Sequence, residues 1–174
     1  MNFKIQAGIP RFEEYYDDDI DNIGDAIEAS YSLNTEYMVM VFNYIPVLLS
    51  YKYDISIIID DILKILSSIR TKEIGYLRVN WPSNTFCAIW DLEWNDSTIS
   101  INTEWTTVIG ETEKLLNDHC KLTVDKLEFA YEWKKVLHNI INALEGCGYN
   151  DDIKGVTVLK KEFNMIEKFG VLYE

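Results

Sequence analysis

Histidine, cysteine and proline are scarce in this chain of 174 residues, with two, three and three of each. Two histidines, His119 and His138, leave little material for imidazole catalysis. His119 adjoins Cys120, but neighbouring side chains seldom converge on one substrate atom and no third group is placed to orient them. The three cysteines, Cys87, Cys120 and Cys147, form an odd set without paired spacing. That pattern argues against a disulfide framework or a zinc ribbon and fits reduced thiols. Gly-rich phosphate loops, HExxH and GxSxG are all missing. The opening MNFKIQAGIPRFEE lacks the apolar core of a signal peptide. The longest apolar run, Tyr37 to Tyr51, is broken by Asn43 and Pro46 and falls short of the roughly 20 residues a membrane span needs. A cytoplasmic protein with no membrane partner, no metal and no cofactor is the expectation.

Basic residues are the most telling shortage. Sixteen Lys and Arg face 29 Asp and Glu, for a net charge of −13. From Arg11 to Lys52 no base intervenes, while Glu13, Glu14, Asp17, Asp18, Asp19, Asp21, Asp25, Glu28 and Glu36 contribute −9. Direct nucleic-acid binding needs a basic footprint, so this balance argues against it and favours a basic partner or plain solvation. Asp17, Asp19, Asp21 and Glu28 also fall at positions 1, 3, 5 and 12 of a calcium-loop pattern. Asn22 stands where that loop needs Gly for its sharp turn, so a solvated or partner-binding acidic segment is the preferred reading.

What the chain has in abundance is apolar and aromatic side chains, 48% and 13% of residues, enough for one domain over 1–174 with a substantial core. Four of the five tryptophans lie between Trp81 and Trp105. Phe86, Ala88, Trp90, Leu92 and Trp94 alternate with more polar neighbours, and Ile99, Ile101, Thr103 and Trp105 do the same. The two apolar faces agree only if Trp94 pairs with Ile99 and Leu92 with Ile101, which centres the turn on Asp96-Ser97. With Leu77, Val79 and Trp81 leading in, a Trp-rich three-stranded antiparallel meander results.

Around it, Phe3, Ile5 and Ala7 predict an opening strand, and Tyr37 to Phe42 a buried one, with Pro46 confining the next segment to an edge or a bend. Asp54 is placed to cap a helix over Ile55 to Ile69 with a broad Ile/Leu stripe, and Asp60 with Lys64 to make an i,i+4 pair on its other side. Asp125, with Glu128 three residues on, predicts a capped helix through Leu144 that Gly146 and Gly148 stop. Ile20 to Ala29, Leu115-Leu116 and Leu159 to Ile166 suggest shorter helices. The class is α+β, an antiparallel sheet with helices packed on one face.

The stretch NYIPVLLSYKYDISIIIDDI at Asn43 to Ile62, WPSNTFCAIWDLEW at Trp81 to Trp94, EWKKVL at Glu132 to Leu137 and GCGY at Gly146 to Tyr149, after an acidic aromatic N-terminus, resembles bacterial immunity proteins of polymorphic-toxin and contact-dependent growth inhibition systems. The resemblance implies a non-catalytic cytoplasmic protein that binds the C-terminal domain of a cognate toxin, often a nuclease with a basic cleft, and blocks its active site. Joined to the charge argument, it makes Glu13, Glu14, Asp17, Asp18, Asp19, Asp21 and Asp25 the expected partner-binding residues. The alternative is a small acidic adaptor or chaperone-like binding module; a third reading is an enzyme or calcium-dependent protein using the acidic loop.

Overall fold

The alternation in the Trp-rich segment folds as its parity requires. In the computed structural model, which describes residues 2–31 and 35–171, β4 (Gly75–Pro82), β5 (Phe86–Trp94) and β6 (Thr98–Val108) form an antiparallel meander. Trp94 pairs with Ile99 and Leu92 with Ile101. Asp96 and Ser97 occupy the turn, where the Asn95 side-chain oxygen accepts from the amides of Ser97 and Thr98. Trp81, Trp90 and Trp105 are buried on one face, with Trp81 and Trp90 centroids 4.5 Å apart.

The meander is not complete with three strands. A further strand, Lys121–Asp125, pairs antiparallel with β6, so this sheet has four strands in the order β4, β5, β6 and that strand, β7. Its alternating burial is confined to Leu122 and Val124, a pattern too short to separate from a loop by sequence. The single sheet expected is in fact two. β1 (Phe3–Gln6), β2 (Tyr37–Phe42) and β3 (Ile45–Ser50) make a separate antiparallel sheet in that order. Pro46 does lie on its edge strand, as a residue without an N–H should. Phe42 joins the two sheets by packing its ring 5.7 Å from Trp90 and 5.4 Å from Trp105.

Among the described residues, five α-helices, α1 (Ile23–Ser30), α2 (Ser56–Thr71), α3 (Glu113–Asp118), α4 (Lys126–Cys147) and α5 (Val156–Val171), complete the α+β architecture. The long helices lie on the apolar side, while the opposite face of the four-stranded sheet carries Tyr76, Arg78, Glu93, Ser100 and Asn102 to the surface. The Asp125 carboxylate accepts from the amides of Leu127 and Glu128 to cap α4, and Gly148 stops it at φ 93°. Bidentate Arg70 and nearly buried Glu162 tie α2 to α5.

Asp54 does not cap α2. One π-helical turn, Tyr51–Ile55, precedes that helix and draws Asp54 fully inside. There its carboxylate accepts from the Ser50 amide at 2.6 Å, from Thr85 Oγ1 at 2.7 Å and from the Ser83 hydroxyl. A helix cap has become the link between β3 and the β4–β5 loop. Buried carboxylates need such donors, since an unpartnered one costs several kcal/mol.

Two stability effects are expected. Truncating Trp90 to Ala removes a fully buried indole at the junction of the sheets and should cost about 3–5 kcal/mol in a denaturant titration; a loss under about 1 kcal/mol would refute its place in the core. On α2, burial raises the Asp61 carboxyl above its ordinary range, against the pull of Lys64. A carboxyl whose folded pKa lies above the unfolded value of about 3.9 loses stability as pH climbs from that value through the folded one. Asp61→Asn should therefore raise the urea midpoint at about pH 7 and leave it unchanged near pH 3, where both side chains are neutral. A lower midpoint at neutral pH would contradict this.

Candidate interaction surface

Between β1 and α1 the chain runs without regular structure from Ala7 to Asp21, and this strap carries most of the acidic residues expected to meet a partner. Helix α4 holds its start. Asn139 donates to the carbonyls of Ala7 and Gly8 at 3.2 Å, and Tyr51 donates its hydroxyl to Ala7 at 2.8 Å. In the middle, the Glu13 amide donates to the Ser30 carbonyl, while the Cys147 thiol donates to the carbonyl of Glu13 at 2.8 Å. Phe12 lies against Gly146, where an added Cβ would come within 2.2 Å of its ring. Farther on, Tyr16 packs 5.1 Å from buried Tyr149, whose hydroxyl accepts from the Asp17 amide. Burial raises the Tyr149 phenol, so it stays neutral and available as that acceptor.

The far end is fastened by backbone. Lys154 donates its amide to the Asp21 carbonyl, and Ile23 donates to the Lys154 carbonyl. Asn22 then caps α1 by accepting from the Asp25 amide, and its own amide donates to the carboxylates of Asp21 and Asp25.

This anchoring consumes the backbone and leaves the side chains outside. Glu13, Glu14, Asp18, Asp19, Asp21 and Asp25 are exposed and Asp17 is half-buried. Among the described residues, no Lys or Arg forms an ion pair with any of the seven. Carboxylate oxygens of Asp17, Asp18 and Asp19 lie within 4.8 Å of one another. The structure thus brings six of the seven expected residues along one strap, with Asp25 in the first turn of α1 beside its end, Glu28 on the exposed side of α1 and Glu36 tied to the Arg11 amide.

Calcium-loop geometry does not form here. Asn22 begins a helix, so Glu28, the twelfth position of the pattern, stands on α1 instead of closing a loop around the aspartates. His138 is exposed on α4 and stacks on Phe163, while Cys120 lends its carbonyl to Thr103. Among the described residues, the hydrogen-bond partner of the His138 ring is the Asn142 amide. A groove of about 780 Å³ beyond the strap mixes Asp21 and Asp60 with Lys64 and Lys154, which gives it no single sign.

Charge counting overlooked the apolar half of this surface. Ile9, Tyr15 and Tyr16 are 96%, 58% and 51% exposed on the strap that bears the acids. The sequence signal was the interleaving FEEYY, aromatics next to acids in a stretch with too few apolar residues to bury itself. Exposed tyrosines on a backbone held in place are favoured binding anchors, because two χ angles bring a large contact area at low entropic cost. Among the described residues, no helix is long and apolar enough to cross a membrane. Comparison of the chain with protein-family models, with curated proteins and with solved structures finds no match.

The Phe12–Gly146 contact gives the anchoring a test. Gly→Ala inside a helix ordinarily stabilises by up to about 1 kcal/mol, but at Gly146 the new methyl would drive out the Phe12 ring. Gly146→Ala should leave global unfolding within about 1 kcal/mol of wild type while amide exchange in 12–17 accelerates. Unchanged exchange there would show that Phe12 does not hold the strap.

Proposed function

We propose that this protein is an immunity protein that binds and neutralises the toxic domain of a cognate bacterial toxin in the cytoplasm, with no catalysis of its own. The toxin is a nuclease whose substrate cleft is basic. The observation that carries the reading is the strap itself: six carboxylates, with Asp25 beside them on α1, that have no Lys or Arg ion-pair partner among the described residues, beside three exposed apolar side chains, on a backbone fastened to α4. A cleft shaped for phosphodiesters presents Lys and Arg at intervals, and a fixed row of carboxylates offers those cations the charge that the nucleic acid would. Occupying the cleft excludes substrate.

The two kinds of side chain have separable roles. The acids act at a distance and raise the association rate, whereas Tyr15 and Tyr16 act in contact and slow dissociation. The same surface would serve an acidic adaptor; the choice of a toxin over another basic partner comes from the sequence resemblance.

The test is kinetic, against the toxin domain encoded beside this gene. Asp17→Lys with Asp19→Lys should lower the association rate by about tenfold or more at low salt, and the difference should shrink as the Debye length falls below about 5 Å. Tyr15→Ala with Tyr16→Ala should mainly raise the dissociation rate. Absence of any complex overturns the immunity reading, and tight binding indifferent to all four substitutions moves the interface off the strap.

A further inference from the structure

Among the described residues two sheets present four edges, and on three of them outward backbone groups are occupied by side chains or removed by proline. On β1, the Ile5 amide donates to buried Glu132 at 2.6 Å and Lys135 reaches the Ile5 carbonyl. On β3, Pro46 has no N–H to offer and the Ser50 amide is taken by Asp54. On β7, the side-chain amides of Asn43 and Asn2 cap the carbonyls of Lys121 and Thr123. The fourth edge is β4, eight residues long, and among the described residues nothing hydrogen-bonds to the side facing away from β5. Open edges template strand pairing, and folded chains blunt them unless they are used.

The edge also carries apolar side chains at one end. Ile74 is 75% exposed, Tyr76 is exposed, and Leu77, although on the inward face, is only partly covered. At the other end Pro82 cannot donate. Pairing is thereby confined to 74–80, a stretch whose centre is Leu77. An antiparallel copy about Leu77 sets Leu77 against Leu77, Gly75 against Val79, Ile74 against Asn80 and Tyr76 against Arg78. Each pair keeps both members on the same face, and the Arg78 guanidinium lies beside a tyrosine ring it can stack on. Moving the centre one residue on, to Arg78, would place two guanidinium groups directly opposite one another. The register about Leu77 is therefore self-complementary, whereas the one about Arg78 opposes like charges.

We infer that β4 pairs antiparallel with β4 of a second copy of this chain about a two-fold axis at Leu77, joining two four-stranded sheets into one of eight. The contact is isologous, so it closes at the dimer and leaves no edge for further growth. It is independent of the toxin-binding reading, since neither the strap nor a partner takes part.

Sedimentation of the whole protein at about 50 µM, in salt sufficient to screen the like net charges, should give a species of twice the 20.3 kDa chain mass. Leu77→Lys places two inward charges at the axis and should return the mass to one chain while the far-ultraviolet spectrum is unchanged. Register is read by a short thiol cross-linker. Residues at the axis have Cβ atoms roughly 5 Å apart, whereas two copies of residue 82 are separated by roughly 30 Å along the strands. Leu77→Cys should cross-link between chains about tenfold more than Pro82→Cys or the wild type with its three native thiols. A single-chain mass at every concentration overturns the proposal. So does a dimer that survives Leu77→Lys, or one that cross-links equally at 77 and 82.

Discussion

Everything in this fold depends on the period of two in β5 and β6. Nine residues of β5 and eleven of β6 place their largest side chains on the same face. A slip of one residue between them would set the apolar face of one strand beside the polar face of the other, turning either Trp90 and Trp94 or Trp105 to water and bringing Asp91 and Glu93 or Glu104 inside. At about 25 cal/mol per Å² of apolar surface, a buried indole is worth several kcal/mol, so alternative registers are not competitive. The rest of the core is assembled on that face: Phe42 brings in the first sheet, and Phe3 against Phe129 brings in α4. Some polar atoms give way to packing there. Among the described residues, the indole nitrogen of Trp90 is buried without a hydrogen-bond partner, a cost of about 1–3 kcal/mol that the ring contacts offset.

Helix α4 turns this core into a surface. Its Glu132 closes the edge of β1, its Asn139 holds Ala7 and Gly8, and its Cys147 and Gly146 receive Glu13 and Phe12. Along 22 residues, one helix reads the N-terminal chain from strand to strap. Buried Glu132 is itself satisfied by the Ile5 amide and by Lys135, so sealing the edge leaves no bare charge inside.

The elements legible in the sequence are those whose signal is local. Alternation from Phe86 to Trp105 set the register, Asp125 and Gly148 bounded α4, and Pro46 marked an edge, because each effect acts within a few residues of its cause. Asp54 was misleading for the same reason. The rule that puts Asp before a helix is a rule about nearby amides, and the Ser83 and Thr85 hydroxyls that claim it are about thirty residues away. β7 and the division into two sheets are settled by pairings at a distance, which periodicity does not encode. The candidate surface divides likewise: its acids are visible in a stretch with no base. Its rigidity comes from contacts more than 130 residues apart, Cys147 with Glu13 and Asp17 with Tyr149.

That rigidity changes what the acids can do. Three carboxylates held within 4.8 Å of one another repel, and in a free loop they would move apart. Here the backbone is fixed at Glu13, at Asp17 and again at Asp21, so the repulsion is carried by the fold and persists in the unbound protein. A cation brought to this strap gains its attraction to each carboxylate and also relieves the repulsion among them. Little chain entropy is lost in the process, because the strap is ordered beforehand. A mobile acidic tail of equal charge could steer a basic partner but would have to be ordered on contact. On the proposed reading, the strap would couple long-range attraction for a basic partner to a surface ordered before contact, with exposed Tyr15 and Tyr16 adding contact area where charge alone is screened by salt.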